Sequence, residues 1–242
     1  MRLALLAGTS EAREVARHLA AEGRDAVASL AGATRAPAPL DVPTRIGGFG
    51  GDAPFSEWLR AEGIGAILDA THPFAARISH RAASAARALG LPHRQLLRPA
   101  WAPGPGDLWT TLSREEDAAA HVPPGGTVFL ATGRQTLERF GGLDARLICR
   151  RIDPPRRPFP LPNGEWRLGR PPFSVEDEVA LFRQLGVDWL IVKNAGGEAS
   201  RSKLDAARIL AIPVGMIARP PQPDCARVET VEEAMAWIRS LD

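Results

Sequence analysis

The sequence predicts an α/β protein of two similar lobes, each with a mostly parallel sheet, facing each other across a cleft. Three observations carry this. Short apolar runs alternate with amphipathic helical stretches along most of the chain, the pattern of parallel strands joined by right-handed helical crossovers. The alternation breaks at Arg98-Pro99-Ala100-Trp101-Ala102-Pro103-Gly104-Pro105-Gly106, where the density of proline and glycine marks a linker. Finally, 242 residues, 45% hydrophobic and 24% charged, are enough for one large or two small domains with cores of their own. The expected domains are residues 1–100 and 101–242.

In the first lobe, Leu3 to Ala7 reads as a buried strand. Ser10 to Ala21 reads as a helix, because Val15, Ala16 and Leu19 share one face. Strands at Ala26 to Leu30 and Thr44 to Ile46 follow, the second ending in Gly47-Gly48-Phe49-Gly50-Gly51. A helix over Phe55 to Glu62, a strand at Ala66 to Asp69, a helix from Phe74 to Leu89 and a strand near Arg94 to Leu97 complete the lobe. Beyond the linker the spacing predicts a helix at Arg114 to His121 and strands at Val128 to Ala131 and Leu147 to Cys149. After a Pro-rich stretch from Asp153 to Pro172 come a helix at Val175 to Leu185 and a strand at Trp189 to Val192. A helix over Lys203 to Leu210, a strand at Pro213 to Ile217 and a helix from Val231 to Leu241 close the chain.

Composition removes several classes of function. Thirty basic against 28 acidic residues leave a net charge of +2, which argues against a general nucleic-acid binder. Cys149 and Cys225 have neither metal spacing nor the number for a disulfide framework, so they read as ordinary thiols and no metal site is expected. No apolar run approaches the roughly 20 residues that span a bilayer. The chain starts without a secretory pattern, so a cytoplasmic location is expected. Nucleophile-elbow, Walker and His-Glu-x-x-His motifs are missing, which favours a cofactor carrying the hard chemistry.

Chemistry-bearing residues gather at strand ends. Gly8-Thr9-Ser10-Glu11-Ala12-Arg13 lies where the first strand meets a helix, and backbone amides there favour a phosphate. Only Gly8 of a three-glycine dinucleotide fingerprint is present. Past the second strand, where an NAD site carries Asp or Glu, the sequence has Thr34-Arg35; a bound dinucleotide would meet them with its 2′-phosphate, favouring NADPH over NADH. Asp69-Ala70-Thr71-His72-Pro73-Phe74 follows another strand, with Thr71 a candidate helix cap and Pro73 suited to a first turn. In the second lobe Thr132-Gly133-Arg134 and Lys193-Asn194-Ala195-Gly196-Gly197 occupy similar places. The chain's only lysines are Lys193 and Lys203, among 28 arginines, which points to a need for compact ammonium charges there.

Together with Gly47-Gly48-Phe49-Gly50-Gly51 and Ile217-Ala218-Arg219-Pro220, these segments in this order resemble the precorrin-6A reductase family of cobalamin biosynthesis, including its cobalt-precorrin-6A members. The most telling is Asp69-Ala70-Thr71-His72-Pro73-Phe74-Ala75; Ala195 stands where serine is common in the family. The resemblance implies two Rossmann-like lobes, the first for a dinucleotide and the second for substrate. It implies an NADPH-dependent hydride transfer to ring carbon C19, converting precorrin-6A to precorrin-6B. On that footing Gly8, Thr9, Ser10 and Arg13 hold the dinucleotide phosphates and Thr34 and Arg35 the 2′-phosphate. Thr71, His72 and Pro73 line the nicotinamide side, and His72 or a water supplies the proton. Arg134, Lys193, Asn194, Gly196, Gly197, Lys203 and Arg219 face the tetrapyrrole's acetate and propionate groups, and neighbouring pathway enzymes are candidate partners. A non-catalytic dinucleotide-sensing module, or a reductase of another polyanionic small molecule, are the alternatives. Seven arginines between Arg146 and Arg170, against Asp153 and Glu165, read either as a solvated loop or as an electropositive flap over a carboxylate-fringed substrate.

Overall fold

The computed structural model describes residues 1–32, 39–152, 154–155, 157–170 and 172–241. Thr34 and Arg35 lie outside them. In chain order the strands are β1 (Arg2–Leu6), β2 (Ala26–Leu30), β3 (Thr44–Ile46), β4 (Ile64–Asp69), β5 (His93–Leu96), β6 (Trp109–Leu112), β7 (Thr127–Ala131), β8 (Arg146–Arg151), β9 (Gly164–Leu168), β10 (Trp189–Lys193), β11 (Val214–Ile217) and β12 (Arg227–Val228). The helices are α1 (Ser10–Ala21), α2 (Asp52–Ala61), α3 (Ala76–Leu89), α4 (Val175–Leu185), α5 (Ser202–Ile209) and α6 (Val231–Arg239). Tighter 3₁₀ segments cover Glu115–Ala120, Arg134–Phe140 and Glu198–Ser200.

Two compact units result: Met1–Pro99 with Pro220–Asp242, and Ala100–Arg219. The proline-rich break is thus a boundary, but residues 220–242, expected in the second domain, fold with the first unit. Their placement follows from burial. Val231, Ala234, Met235 and Ile238 of α6 share one apolar cluster with Val15, Ala16 and Leu19 of α1, and β12 pairs with β5. A strand of two residues carries too little pattern to show which sheet it joins.

The first unit's sheet runs β12-β5-β4-β1-β2-β3, with every pairing parallel. Its central strands are buried on both faces, so Ala4, Leu5 and Leu6 of β1 form a continuous apolar run without alternation. Phe55 and Leu59 of α2 pack with Ala82, Ala85 and Ala86 of α3 in a cluster separate from that of α1 and α6. The chain leaves β1 for β2 and β3 on one side and reaches β4 and β5 on the other. In open parallel sheets that reversal opens a crevice at the strands' carboxyl ends.

The second unit repeats the plan: β6-β11-β10-β7-β8-β9, again parallel throughout, with its reversal between β7 and β10. Phe129 and Phe182, with ring centroids 5.1 Å apart, anchor a core that includes Leu190, Leu204 and Met216. Capping of α4 is reciprocal: Ser174 Oγ accepts from the Asp177 amide, and the Asp177 carboxylate accepts from the Ser174 amide. Three departures from expectation appear. The helix expected at Arg114 to His121 is 3₁₀, and β6 and β9 were not foreseen. Strand β9 turns part of the arginine-rich stretch into a sheet edge, not a flap.

Candidate active site

Each reversal gathers the polar motifs of its unit. In the first, the end of β1 meets the end of β4. A Cβ on Gly8 would lie 3.8 Å from the His72 amide nitrogen and 4.0 Å from the Thr71 Cα, so the two loops touch along their backbones. Thr9 is the N-cap of α1. Its Oγ1 accepts from the Ala12 amide at 3.1 Å and donates to the Ala70 carbonyl at 2.8 Å. Ser10 is exposed and donates to Glu11, and Arg13 reaches the Pro39 carbonyl at 3.2 Å. Glu11 places a carboxylate in the first turn of α1, neutralised by Arg98 at 2.6 Å. A helix start that already holds its own anion is a weaker phosphate site than the bare motif implied.

At the end of β4, Asp69 is fully buried and organises the loop. Its Oδ1 accepts from both the Thr71 amide (3.1 Å) and the Thr71 hydroxyl (2.7 Å), while Oδ2 has no hydrogen-bond partner. Thr71 therefore does not cap α3, which starts at Ala76 without a side-chain cap, and Pro73 lies in the turn before that helix. Pro73 is buried, and its carbonyl accepts from Gln222 Nε2 at 2.9 Å; Gln222 in turn accepts from Gln95 at the end of β5. His72 is half-buried, and its Nδ1 accepts from the Phe74 amide at 3.2 Å. That bond selects the tautomer with the proton on Nε2, so the ring presents a donor there.

In the second unit the loop after β10 is tied down by its own side chains. Both ends of the Asn194 amide bind the Trp101 backbone: Oδ1 accepts from its N–H at 2.8 Å, and Nδ2 donates to its carbonyl at 2.9 Å. Arg219 donates through Nε to the Asn194 carbonyl and through Nη2 to that of Ala195. Asn194 and Arg219 thus shape this loop, a role that reading them as substrate contacts missed. Gly133, Gly196 and Gly197 have φ of 78°, 69° and 78°, which only glycine adopts without strain. Lys193, half-buried, pairs with Glu115 at 3.7 Å; burial lowers its pKa, and Glu115 opposes that shift. Arg134 is exposed beside Gly133.

Lys203 stands apart from these, on α5, where its ammonium donates to the Ser200 carbonyl. Burial brings its pKa down to about 8, against the pull of Glu178 and helped by the nearby Arg150. It lines a cavity of about 210 Å³ together with Gly133, Arg150, Arg151, Phe173 and Ser202. Cys149 is no nucleophile, since burial pushes its thiol up to about 12. Among the described residues, no helix is long and apolar enough to cross a membrane.

Comparison with known proteins fits this arrangement. A sequence profile of the "Precorrin-6x reductase CbiJ/CobK" family matches residues 2–239. This chain belongs to the precorrin-6x reductase family. A precorrin-6A reductase of Rhodococcus erythropolis is 46% identical over 99% of this chain and 98% of its own. One of Sinorhizobium is 43% identical over 98% and 92%. A cobalt-precorrin-6A reductase of Priestia megaterium is 31% identical, covering 89% of both chains. The solved structure of a "CobK precorrin-6A reductase" superposes with a TM-score of 0.95 at 40% identity, covering 99% of this chain and 96% of that one.

Family membership makes the chain an oxidoreductase of the precorrin macrocycle, and it bears on which residues the sequence left unnoticed. Glu115, Trp101 and Gln222 hold the site loops through partners distant in sequence, which leaves no local pattern, whereas Asp69 acts inside a recognised motif on Thr71 two residues on. Arg150 and Arg151 close β8, the neighbour of β7 in the second unit's sheet, and Arg150 pairs with Glu178 of α4.

Proposed function

We propose that the chain catalyses the NADPH-dependent reduction of precorrin-6A to precorrin-6B, with hydride delivered to ring carbon C19. The observation that carries this reading is the repeated geometry: two parallel sheets, each bringing family motifs together at its reversal point. Identities of 46% and 43% to proteins named precorrin-6A reductase, against 31% and 25% to cobalt-precorrin-6A reductases, favour the cobalt-free macrocycle.

NADPH, when bound, supplies the hydride. The chain's own residues bind, orient and protonate. Gly8 leaves the β1 end open to close backbone approach, with Ser10 and Arg13 exposed beside it. His72 offers its Nε2–H toward the reacting groups, held in that tautomer by the Phe74 amide and positioned by Asp69 through Thr71. A proton must reach the ring nitrogen adjoining C19, and His72 or a water donating to that nitrogen supplies it. Lys193, Arg134 and the backbone of Gly196 and Gly197 in the second unit meet the carboxylate fringe of the macrocycle.

The test is direct: purified protein, NADPH and authentic precorrin-6A, followed by nicotinamide absorbance and product mass. Consumption of NADPH with a product heavier by two hydrogens is expected. Cofactor binding without turnover of this tetrapyrrole would leave only the alternatives, a sensing module or a reductase of another polyanion.

A further inference from the structure

Beneath the His72 loop of the first unit, two buried polar atoms are left unanswered. Asp69 Oδ2 and His93 Nε2 have no hydrogen-bond partner among the described residues. The pairing of β4 with β5 sets Ile67 opposite His93 and Asp69 opposite Gln95. Side chains alternate along a strand, so Asp69, His93 and Gln95 lie on one face of the sheet. It is the face of α3, because Ile67 packs there with Ala82, Ala85 and Ala86.

The other polar groups on this face are already engaged. Gln95 donates to Gln222 Oε1 at 2.9 Å and accepts from Arg227 Nε at 3.3 Å. Arg227 also donates to the Pro223 carbonyl at 2.7 Å. Ser79, the buried polar residue of α3, has its hydroxyl 3.3 Å from that of Thr71. His93 is then the neighbour left to answer the second oxygen of Asp69. The two atoms do not bond directly, and a carboxylate half-satisfied in the interior is costly. A buried donor and a buried acceptor, each short of a partner, are what one buried water satisfies.

The charges around the pair favour a neutral ring. Burial lowers the pKa of His93, Asp69 opposes that shift and Arg94 adds to it. Arg94 lies toward α6, its guanidinium 5.7 Å from the Trp237 ring. Asp69 also acts on the Cys225 thiol, as do Arg227, Asp224 and Arg94, and burial raises that thiol. None of the residues that α3 buries is titratable. A neutral imidazole can donate from Nε2 without bringing a second charge into the interior.

We infer that His93 donates through one buried water to Asp69 Oδ2, which makes His93 a positioning residue for the His72 loop. With one oxygen held by Thr71 and the other by the water, the Asp69 carboxylate cannot swing about its Cβ–Cγ bond. Its two bonds to Thr71 then keep a fixed direction, and His72 is the next residue. The consequence for catalysis rests on the reading of His72 above; the bridge itself does not.

A high-resolution crystal structure of the whole chain should show a water within hydrogen-bond distance of both atoms. Nitrogen-15 NMR of the wild-type histidine rings should find His93 neutral at pH 7 with its proton on Nε2. His93→Leu removes the donor at similar volume, and His93→Gln returns one near the Nε2 position. Turnover of precorrin-6A should fall roughly tenfold in the first, the loss of one hydrogen bond, and recover to within about threefold of wild type in the second. The KM for NADPH should move less than about threefold in either, a kcat loss without loss of cofactor binding. A dry gap or a direct contact between the two atoms overturns the inference, as does an imidazolium or an Nδ1 proton. So does wild-type kcat in folded His93→Leu, or a loss that His93→Gln fails to restore. A wild type that leaves precorrin-6A unreduced overturns the functional reading instead, and the water and the ring proton then decide this one.

Discussion

Asn194 separates a binding role from a structural one. The family resemblance puts it on the substrate, whereas the structure ties both ends of its amide to the Trp101 backbone. Asn194→Ala removes both bonds. Trp101 is only 8% exposed, so its N–H and carbonyl lose their partners with little water at hand. An unsatisfied buried polar group costs about 1–3 kcal/mol, and partial rehydration brings the pair to roughly 2–4 kcal/mol. With a urea dependence of about 2–3 kcal/mol per molar, the unfolding midpoint should fall by about 1 M, followed by tryptophan fluorescence. The KM for precorrin-6A, measured where the variant is fully folded, should stay within a few-fold of wild type. An unmoved midpoint with a tenfold rise in KM would refute this reasoning and return Asn194 to the substrate.

Lys203 gives a pH signature. Its folded pKa of about 8, facing Glu178 and Arg150, compares with about 10.4 in the unfolded chain. Between those values the unfolded state holds a proton that the native state lacks, so stability rises with pH and is lost as pH falls toward 8. Lys203→Met should remove on the order of 3 kcal/mol of that rise, seen as the difference between the two unfolding curves across the window; parallel curves would contradict it. Glu178→Gln leaves Arg150, whose guanidinium the buried Glu178 engages bidentately, without its counter-charge, and thermal and urea unfolding should register a loss of roughly 3–5 kcal/mol; a loss below about 1 kcal/mol would mean that the pair is not held out of water. Thr9→Ala should lower stability by about 1 kcal/mol through the lost α1 cap, with KM for NADPH nearly unchanged; the opposite pattern would assign Thr9 to the cofactor.

Much of the fold could be read from the sequence because parallel sheets write themselves as apolar runs. The bounds expected for α1, β2, β3 and α4 coincide with those observed, and both glycine-bearing reversals lie where the motifs placed them. Three of the four edge strands were missed, β3 being the exception. Strand β6 is four residues emerging from the proline-rich linker, β9 hides among arginines, and β12 is two residues long; none buries enough side chain to leave a periodic trace. For the same reason nothing in the pattern shows that residues 220–242 rejoin the first unit. Candidate residues divided along a similar line. The loops were legible from their glycines, but the duties of Thr71, Asn194 and Arg219 were not, since each depends on a partner that only tertiary structure supplies. Arg150 and Arg151 illustrate a different case, since nothing in their sequence context shows that one is paired with the buried Glu178 and the other keeps a buried nitrogen without a hydrogen-bond partner.

The central claim is a hydride transfer from NADPH to the precorrin ring. NADPH deuterated at the transferable C4 position, incubated with this chain and precorrin-6A, should yield precorrin-6B carrying a single deuterium at C19, as read by mass spectrometry and NMR of the product. NADPH left unconsumed beside authentic precorrin-6A, or a reduced product without deuterium at C19, would contradict the account.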